Sequence, residues 1–148
     1  MKTYSPFLCA LVFIAAVALG CGTNHSTTAL CGLNVSSGPN QFGSLQSVTV
    51  CPATADAKNY ASGLVPFTAI GFYDTQPSPV APLKGFWGAC SQQAPTNDVT
   101  ISSSGVAQCA AGAAGTYSVF AAEPGVCDAI TACGGGCQIT GYAQLSCP

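Results

Sequence analysis

Ten cysteines in a chain of 148 residues limit how this sequence can fold more than any other feature. Cys9 lies inside an apolar N-terminal stretch, and Cys21 follows the glycine that ends that stretch. Eight cysteines remain, and an even number in an exported chain predicts a disulfide framework, because disulfides persist in oxidising compartments. We therefore expect four disulfides, formed by Cys31, Cys51, Cys90, Cys109, Cys127, Cys133, Cys137 and Cys147.

The sequence favours two particular pairings. Cys90 and Cys109 each follow a predicted strand at one end of the domain, so we expect them to pair. The glycine-rich segment CDAITACGGGC needs a cross-link to hold its shape, so one pair is expected inside the group Cys127, Cys133 and Cys137. The other two pairs stay open, and they use the third cysteine of that group together with Cys31, Cys51 and Cys147.

A metal site is the alternative for this cysteine-rich segment. Zinc sites favour cysteines that are separated by two residues, and they often add histidine ligands. The gaps between Cys127, Cys133 and Cys137 are five and three residues, and no histidine is near. We therefore expect disulfides here, with no bound metal and no cofactor.

The first twenty residues have the pattern of an export signal. Lys2 supplies a positive charge, and residues 7–19 form an apolar run that is too short for a comfortable membrane span. The sequence VALGC at residues 17–21 resembles the bacterial lipobox, at which lipoprotein signal peptidase cuts just before a cysteine. The resemblance implies that residues 1–20 are removed and that Cys21 carries a diacylglycerol and an acylated amine. The acyl chains would hold the protein to a lipid bilayer, because each buried CH₂ contributes roughly 0.8 kcal/mol.

Residues 21–44 are rich in Gly, Ser, Thr and Asn, a composition typical of a flexible tether. Such a tether would let a folded domain at residues 45–148 stand away from the bilayer. Gly22 follows the predicted lipid carrier, where an aspartate would favour retention in the inner membrane. The sequence therefore predicts a cell-envelope location at the outer membrane or cell surface.

Charge is scarce throughout the chain. Only 5% of the residues are charged, against a typical share of about 25%. The chain has no arginine, and its only lysines are Lys2, Lys58 and Lys84. Since nucleic-acid binding depends on many basic contacts to phosphates, we exclude nucleic acid as a partner.

Short β-type runs separated by turn residues fill the chain from residue 45 onwards, which predicts an all-β domain without a regular helix. In two of these runs the apolar residues alternate. Val65, Phe67, Ala69 and Gly71 fall on one face of the first, and Tyr117, Val119 and Ala121 on one face of the second. The seven predicted strands are residues 47–50, 65–73, 83–89, 98–102, 105–109, 115–123 and 141–147.

Five motifs in this region follow one another in an order that is similar to the bacterial immunoglobulin-like domains of the Big-2 group. They are SVTVCP at 47–52, GLVPFTAIGFY at 63–73, FWG at 86–88, VTIS with GV at 99–106, and GTYSVFA at 115–121. The resemblance implies an immunoglobulin-like sandwich of about seven antiparallel strands over residues 45–148. It also implies a structural or adhesive role at the cell surface, with a surface protein or a glycan as the partner.

The residues expected of an enzyme are sparse. The only histidine is His25, which lies in the predicted tether and is interpreted as solvated. No histidine is therefore available in the domain to activate a Ser or Cys nucleophile. We predict that the protein is not an enzyme. The carboxylates of the domain are Asp56, Asp74, Asp98, Glu123 and Asp128, and they form no recognisable glycosidase motif.

Carbohydrate binding is the alternative function. Two or more exposed, coplanar rings on one sheet face would favour this alternative. Phe67 and Trp87 are expected to fill the core instead. The candidate ring residues are Tyr60, Phe72, Tyr73, Phe86, Tyr117, Phe120 and Tyr142.

Overall fold

Twelve short β-strands make up most of the computed structural model, which describes residues 26–37 and 43–148. The predicted leader and Cys21 lie outside the described residues. The all-β prediction is confirmed, although the described part has more strands than the seven expected. The strands are β1 Ser26–Leu30, β2 Leu33–Ser37, β3 Leu45–Cys51, β4 Thr54–Asp56, β5 Leu64–Pro66, β6 Thr68–Tyr73, β7 Phe86–Ser91, β8 Ala94–Pro95, β9 Val99–Ile101, β10 Val106–Cys109, β11 Gly115–Ala122 and β12 Thr140–Cys147.

One layer of the fold is a five-stranded sheet with the order β4-β12-β11-β7-β8. Its centre is the long antiparallel pair β11–β12, whose register runs from Gly115 opposite Cys147 to Ala122 opposite Thr140. The strands were predicted to be antiparallel throughout. Strand β4 departs from this prediction, because it pairs with β12 in parallel. The expected alternation of β11 is confirmed, because Tyr117 and the two alternate residues after it are buried on the inner face.

The second layer consists of the pair β3–β6 and the three-stranded sheet β5-β10-β9. The single strand predicted over residues 65–73 is wrong, since the chain leaves β5 at Pro66 and resumes as β6 in another sheet. Pro66 has no N–H to continue a ladder, and the next N–H, that of Phe67, donates to the carbonyl of Gly105 (2.9 Å). Gly105 has a φ of 83°, and a Cβ there would lie 2.9 Å from the Trp87 ring.

The two layers enclose an apolar core. Leu145, Val119 and Val65 are fully buried in it, and Phe67 is 2% exposed. Trp87 is half-buried and packs against the same cluster. Both aromatic residues that were assigned to the core therefore contribute to it. Burial of such side chains is the main favourable term in folding, at roughly 1.5–3 kcal/mol for each large residue.

Strands β1 and β2 form a hairpin, although the composition predicted a flexible tether here. Cys31 and Gly32 both have positive φ, 49° and 78°, which suits a two-residue hairpin turn. Val35 is 4% exposed and packs with Ile70 in a small apolar cluster. The disulfide to Cys51 then fixes the turn to the end of β3. Side-chain packing and a covalent link therefore override the polar composition of this segment.

Four disulfides join the eight described cysteines: Cys31–Cys51, Cys90–Cys133, Cys109–Cys147 and Cys127–Cys137. The last of these agrees with the expected pair inside the glycine-rich segment.

The predicted pairing of Cys90 with Cys109 is wrong. Cys90 lies opposite Ser118 in the five-stranded sheet, on the face that points away from the core. Cys109 ends β10 in the other layer, where it packs against the core cluster. The prediction failed because both cysteines lie at strand ends but belong to different layers, with Cys90 on the outer face of the sheet.

A short segment covers the outer face of the five-stranded sheet, and we call residues 123–139 the cap. It contains an α-helix that was not predicted, α1 Ala129–Cys133. The helix begins at Asp128, whose carboxylate accepts a hydrogen bond from the N–H of Thr131 (2.7 Å). Beneath the cap, Phe120 is fully buried in a second apolar cluster with the Cys90–Cys133 pair. Gly88 lies opposite Phe120 and leaves room for its ring, since a Cβ at this position would be 2.5 Å from the ring.

Candidate functional site

The predicted lipid carrier Cys21 and the single histidine, His25, fall outside the described residues. The other eight predicted site residues are the disulfide-bonded cysteines. A disulfide sulfur is not the thiolate that binds metal ions or acts as a nucleophile. In their bonded form, these cysteines therefore act as cross-links.

Most carboxylates of the domain serve local structure. Asp56 accepts a hydrogen bond from the N–H of Lys58 (3.0 Å), and Asp74 accepts one from the N–H of Ser44 (2.9 Å). Asp128 caps α1, and the hydrogen bonds from Thr131, its backbone N–H first, lower the pKa of this carboxyl.

The carboxylate of Asp98 meets a buried tyrosine. The hydroxyl of Tyr117 lies 3.2 Å from Asp98 Oδ2 and 3.3 Å from the carbonyl oxygen of Ala114. Burial raises the pKa of Tyr117, and the nearby charge of Asp98 raises it further. The tyrosine is therefore a neutral donor at the corner where β11 begins.

The candidate ring residues differ in their exposure to solvent. Phe120 is fully buried and Tyr117 is 6% exposed, so neither can present a ring. Phe86 (37% exposed) and Tyr142 (43% exposed) lie on the same outer sheet face. The buried Phe120 lies on this face too, tilted 57° to Phe86. The other three, Tyr60, Phe72 and Tyr73, are half-buried.

A groove of about 270 Å³ opens on the outer sheet face beside the cap, and we call it the sheet-face groove. Strand pairing builds its floor. Gln144 of β12 lies opposite Ser118 of β11, which lies opposite Cys90 of β7. Thr116, two residues before Ser118, extends the same face. The groove thus lies across three neighbouring strands of one rigid sheet.

Two walls bound the sheet-face groove. On the cap side, Tyr142 and Cys133 line it, and the Tyr142 hydroxyl donates a hydrogen bond to the carbonyl of Ala132 (2.6 Å). On the other side, Gln92 and Gln93 form the turn between β7 and β8, with φ values of 49° and 66°. The hydrogen bond and the Cys90–Cys133 disulfide keep the ring wall in place.

The chemistry of the sheet-face groove is neutral and polar. None of its lining residues carries a charge. The side-chain amides of Gln92, Gln93 and Gln144 make no hydrogen bond to any other described residue. Each amide offers two donors and an acceptor. The groove therefore combines an exposed ring with hydrogen-bonding groups that are open to a ligand.

A second groove, of about 810 Å³, lies at the end of the sandwich, and we call it the sheet-end groove. Lys84, Glu123 and Tyr73 line it together with Leu83 and Pro124. Burial raises the pKa of Tyr73, and the charge of Glu123 raises it further. The two grooves therefore differ in charge, since the sheet-end groove holds both an acid and a base.

The glutamines of the sheet-face groove were missed by the sequence analysis. Their signal was present in part: in GYAQLSC, Tyr142 and Gln144 alternate with the apolar Ala143 and Leu145. Because side chains alternate between the two faces of a strand, this pattern places Tyr142 and Gln144 together on the outer face. The contribution of Gln92 and Gln93 comes from strand pairing and could not be read from this pattern.

The chain matches no known protein family and no curated protein. Among the helices of the described residues, none has the length and apolar character needed to cross a bilayer. Within residues 26–37 and 43–148, no three His, Cys, Asp or Glu side chains meet in an arrangement that could hold a metal ion.

Proposed function

We propose that this chain is a lipoprotein of the bacterial cell envelope, anchored through acylated Cys21, whose folded domain binds a surface partner. One observation carries the proposal. The eight described cysteines all pair with one another, which leaves Cys9 and Cys21 as the remaining cysteines of the chain. Cys9 belongs to the predicted leader. A cysteine after an apolar run and a glycine, with no partner among the eight, suits lipid attachment rather than a disulfide.

The strand order supports an immunoglobulin-like domain. In such sandwiches the last, second-to-last and middle strands form one sheet, and the early strands form the other. Here β12, β11 and β7 are neighbours in the five-stranded sheet, while β3 pairs with β6, and β5-β10-β9 completes the second layer. These neighbours are consistent with the strand order of an immunoglobulin-like sandwich.

Two side chains support the same proposal. Immunoglobulin-like domains often carry a buried tryptophan on the third main strand and a tyrosine whose hydroxyl bonds to the backbone just upstream of its strand. Trp87 lies on β7 and packs against the core. The hydroxyl of Tyr117 on β11 lies within hydrogen-bond distance of the carbonyl of Ala114, three residues earlier. A rigid domain of this kind serves as a spacer or as an adhesive module.

Lipid attachment is tested by expressing the full chain in a bacterium with Cys21→Ser, and with Cys9→Ser as the matched control. The native chain and the Cys9→Ser chain should partition into detergent, and their mature N-terminal peptides should carry acyl mass at Cys21. Cys21→Ser should abolish both signals. A processed Cys21→Ser chain, free of its leader, that still partitions into detergent, or a native mature chain that begins elsewhere, contradicts the anchor.

The second candidate function is a carbohydrate-binding module. The observation that favours it is the sheet-face groove, where the exposed Tyr142 ring lies beside uncharged amides and hydroxyls. The flat platform of coplanar rings that would have suited a long glycan does not describe this face, because Phe120 is buried between Phe86 and Tyr142. A groove with one ring suits one or two sugar units.

A further inference from the structure

We infer that the sheet-face groove is the binding site of the domain and that its ligand is a neutral glycan rather than a charged one. This inference rests on the proposed role as a surface-binding domain, and it names the partner and the residues of that role.

The ring of Tyr142 supplies the apolar part of such a site. A sugar whose ring substituents are equatorial presents a face of C–H groups, and an aromatic ring offers a flat apolar surface of matching size. Tyr142 is 43% exposed although its hydroxyl is bonded to Ala132 (2.6 Å). The hydroxyl proton is therefore already engaged, so the ring supplies an apolar contact while the hydroxyl stays bonded to the cap.

The three glutamines supply the polar part. Gln144 lies on the floor, and Gln92 and Gln93 line the groove from the β7–β8 turn. Sugar hydroxyls donate and accept hydrogen bonds, and so does a primary amide, which makes the two groups complementary. Ser118 and Thr116 add hydroxyls to the same surface. A ligand pocket of this type has a small number of placed polar groups around an apolar contact.

The absence of charge in the lining selects against ionic ligands. An acidic sugar would leave its carboxylate without a cationic partner, since neither lysine of the domain lines this groove. Lys84 instead lines the sheet-end groove with Glu123. Binding an unpaired charge has a desolvation cost that a neutral sugar avoids. The groove therefore favours a neutral glycan over its acidic counterpart.

The rigidity of the groove favours binding by a short ligand. The floor consists of paired strands, and the Cys90–Cys133 disulfide joins the floor to the ring wall. A site that is already ordered loses little conformational entropy when a ligand binds. A volume of about 270 Å³ accommodates a short segment of a glycan, so chain ends or single units would be bound.

The test is a titration of the isotope-labelled full chain in detergent, followed by amide NMR. The probes are chitotetraose and cellotetraose as neutral glycans, sialyllactose as the acidic glycan, and a polyproline peptide as the protein-type ligand. A neutral tetrasaccharide should shift the side-chain amide signals of Gln92, Gln93 and Gln144. Sialyllactose and the peptide should leave them unchanged.

Variants locate the site. Tyr142→Ala should weaken binding of the neutral tetrasaccharide about tenfold, because it removes the stacking ring. Tyr142→Phe keeps the ring and should retain most of the affinity, so it separates stacking from folding. Gln144→Ala, on an exposed position, should also weaken binding, and Tyr73→Ala in the sheet-end groove should not.

Three results would overturn the inference: no shift with either neutral tetrasaccharide at millimolar concentration, shifts that map to the sheet-end groove, or preference for sialyllactose or the peptide. These outcomes are independent of Cys21, because glycan titration and detergent partitioning are separate measurements. A chain that partitions through its lipid but binds no neutral glycan would keep the proposed function and refute only this inference.

Discussion

The two faces of the five-stranded sheet are stabilised in different ways. The inner face contributes to a core of large apolar side chains, among them Val119 and Leu145, and this core is closed by the second layer. The outer face is covered by the cap, whose cluster holds one large aromatic residue, Phe120, with alanines and cysteines. Two of the four disulfides, Cys90–Cys133 and Cys127–Cys137, include cap residues.

The difference shows how a small-residue segment can hold a fixed shape. Val126 and Ile130 in the cap are 70% and 74% exposed, so these two aliphatic residues contribute little burial, while Ile139 at the end of the cap is half-buried and packs against the main core cluster. Cross-links restrict the unfolded chain instead, and they compensate for a small apolar contact. We therefore expect the core to respond most to changes in side-chain volume and the cap to respond most to loss of covalent links.

The largest effect is expected from Phe67→Ala in the core. Removal of a buried aromatic side chain leaves a cavity and should lower the free energy of unfolding by about 3–5 kcal/mol. Ile130→Ala in the cap is the matched control, because its side chain is 74% exposed; it should change the free energy by less than about 0.5 kcal/mol. Denaturant unfolding under oxidising conditions measures both, and equal effects would contradict the comparison.

An intermediate effect is expected when the cap is released from the sheet. Replacement of Cys90 and Cys133 together by alanine should lower stability by about 2–4 kcal/mol. Hydrogen exchange should show faster exchange at the amides of α1 while those of β11 stay protected. Should β11 and α1 lose protection equally, the cap would be part of the main cooperative unit and the two faces would not be separable.

The smallest effect concerns pH. The hydrogen bonds from Thr131 lower the folded pKa of Asp128 below its ordinary value of 3.8. The stabilisation of the folded state by the ionised Asp128 carboxylate is therefore complete above pH 3.8. It is lost as the pH falls through the folded pKa. The protection factors of the α1 amides, which compare their exchange with that of an unstructured chain at the same pH, should fall in this acidic range. Asp128→Asn keeps a capping oxygen without a titrating proton and should remove the pH dependence; an unchanged pH profile in this variant would assign the effect to another group.

Sequence patterns predicted the parts of the fold that depend on local alternation. Strand β11 and its buried face follow from period-two placement of Tyr117, Val119 and Ala121. The break at Pro66 was missed, since the residues on both sides of it are buried and the pattern therefore continues across two sheets. The β1–β2 hairpin was missed because its order depends on a distant cysteine and on Ile70, neither of which affects local composition.

The candidate site was less predictable than the fold. Tyr142 was among the candidate rings, but Phe120 was too, and only the position of the cap separates the exposed ring from the buried one. The pairing of Cys90 with Cys133 decides that position, and a choice among many possible disulfide pairings cannot be made from sequence. Gln92 and Gln93 join the site through the turn after β7, which is a non-local consequence of sheet order.

The disulfide of the hairpin has a mechanical consequence. A pulling force on the chain ahead of Ser26 would peel β1 from β2 one residue pair at a time. At Cys31 the load passes through the disulfide to Cys51, and the residues between them, including β2 and β3, carry no tension. The five residues of β1, which already span about 3.3–3.6 Å each as a strand, can therefore detach from β2 before the load reaches the body of the domain. Under a pulling force from an anchor that precedes it, the hairpin would therefore open before the body of the domain does.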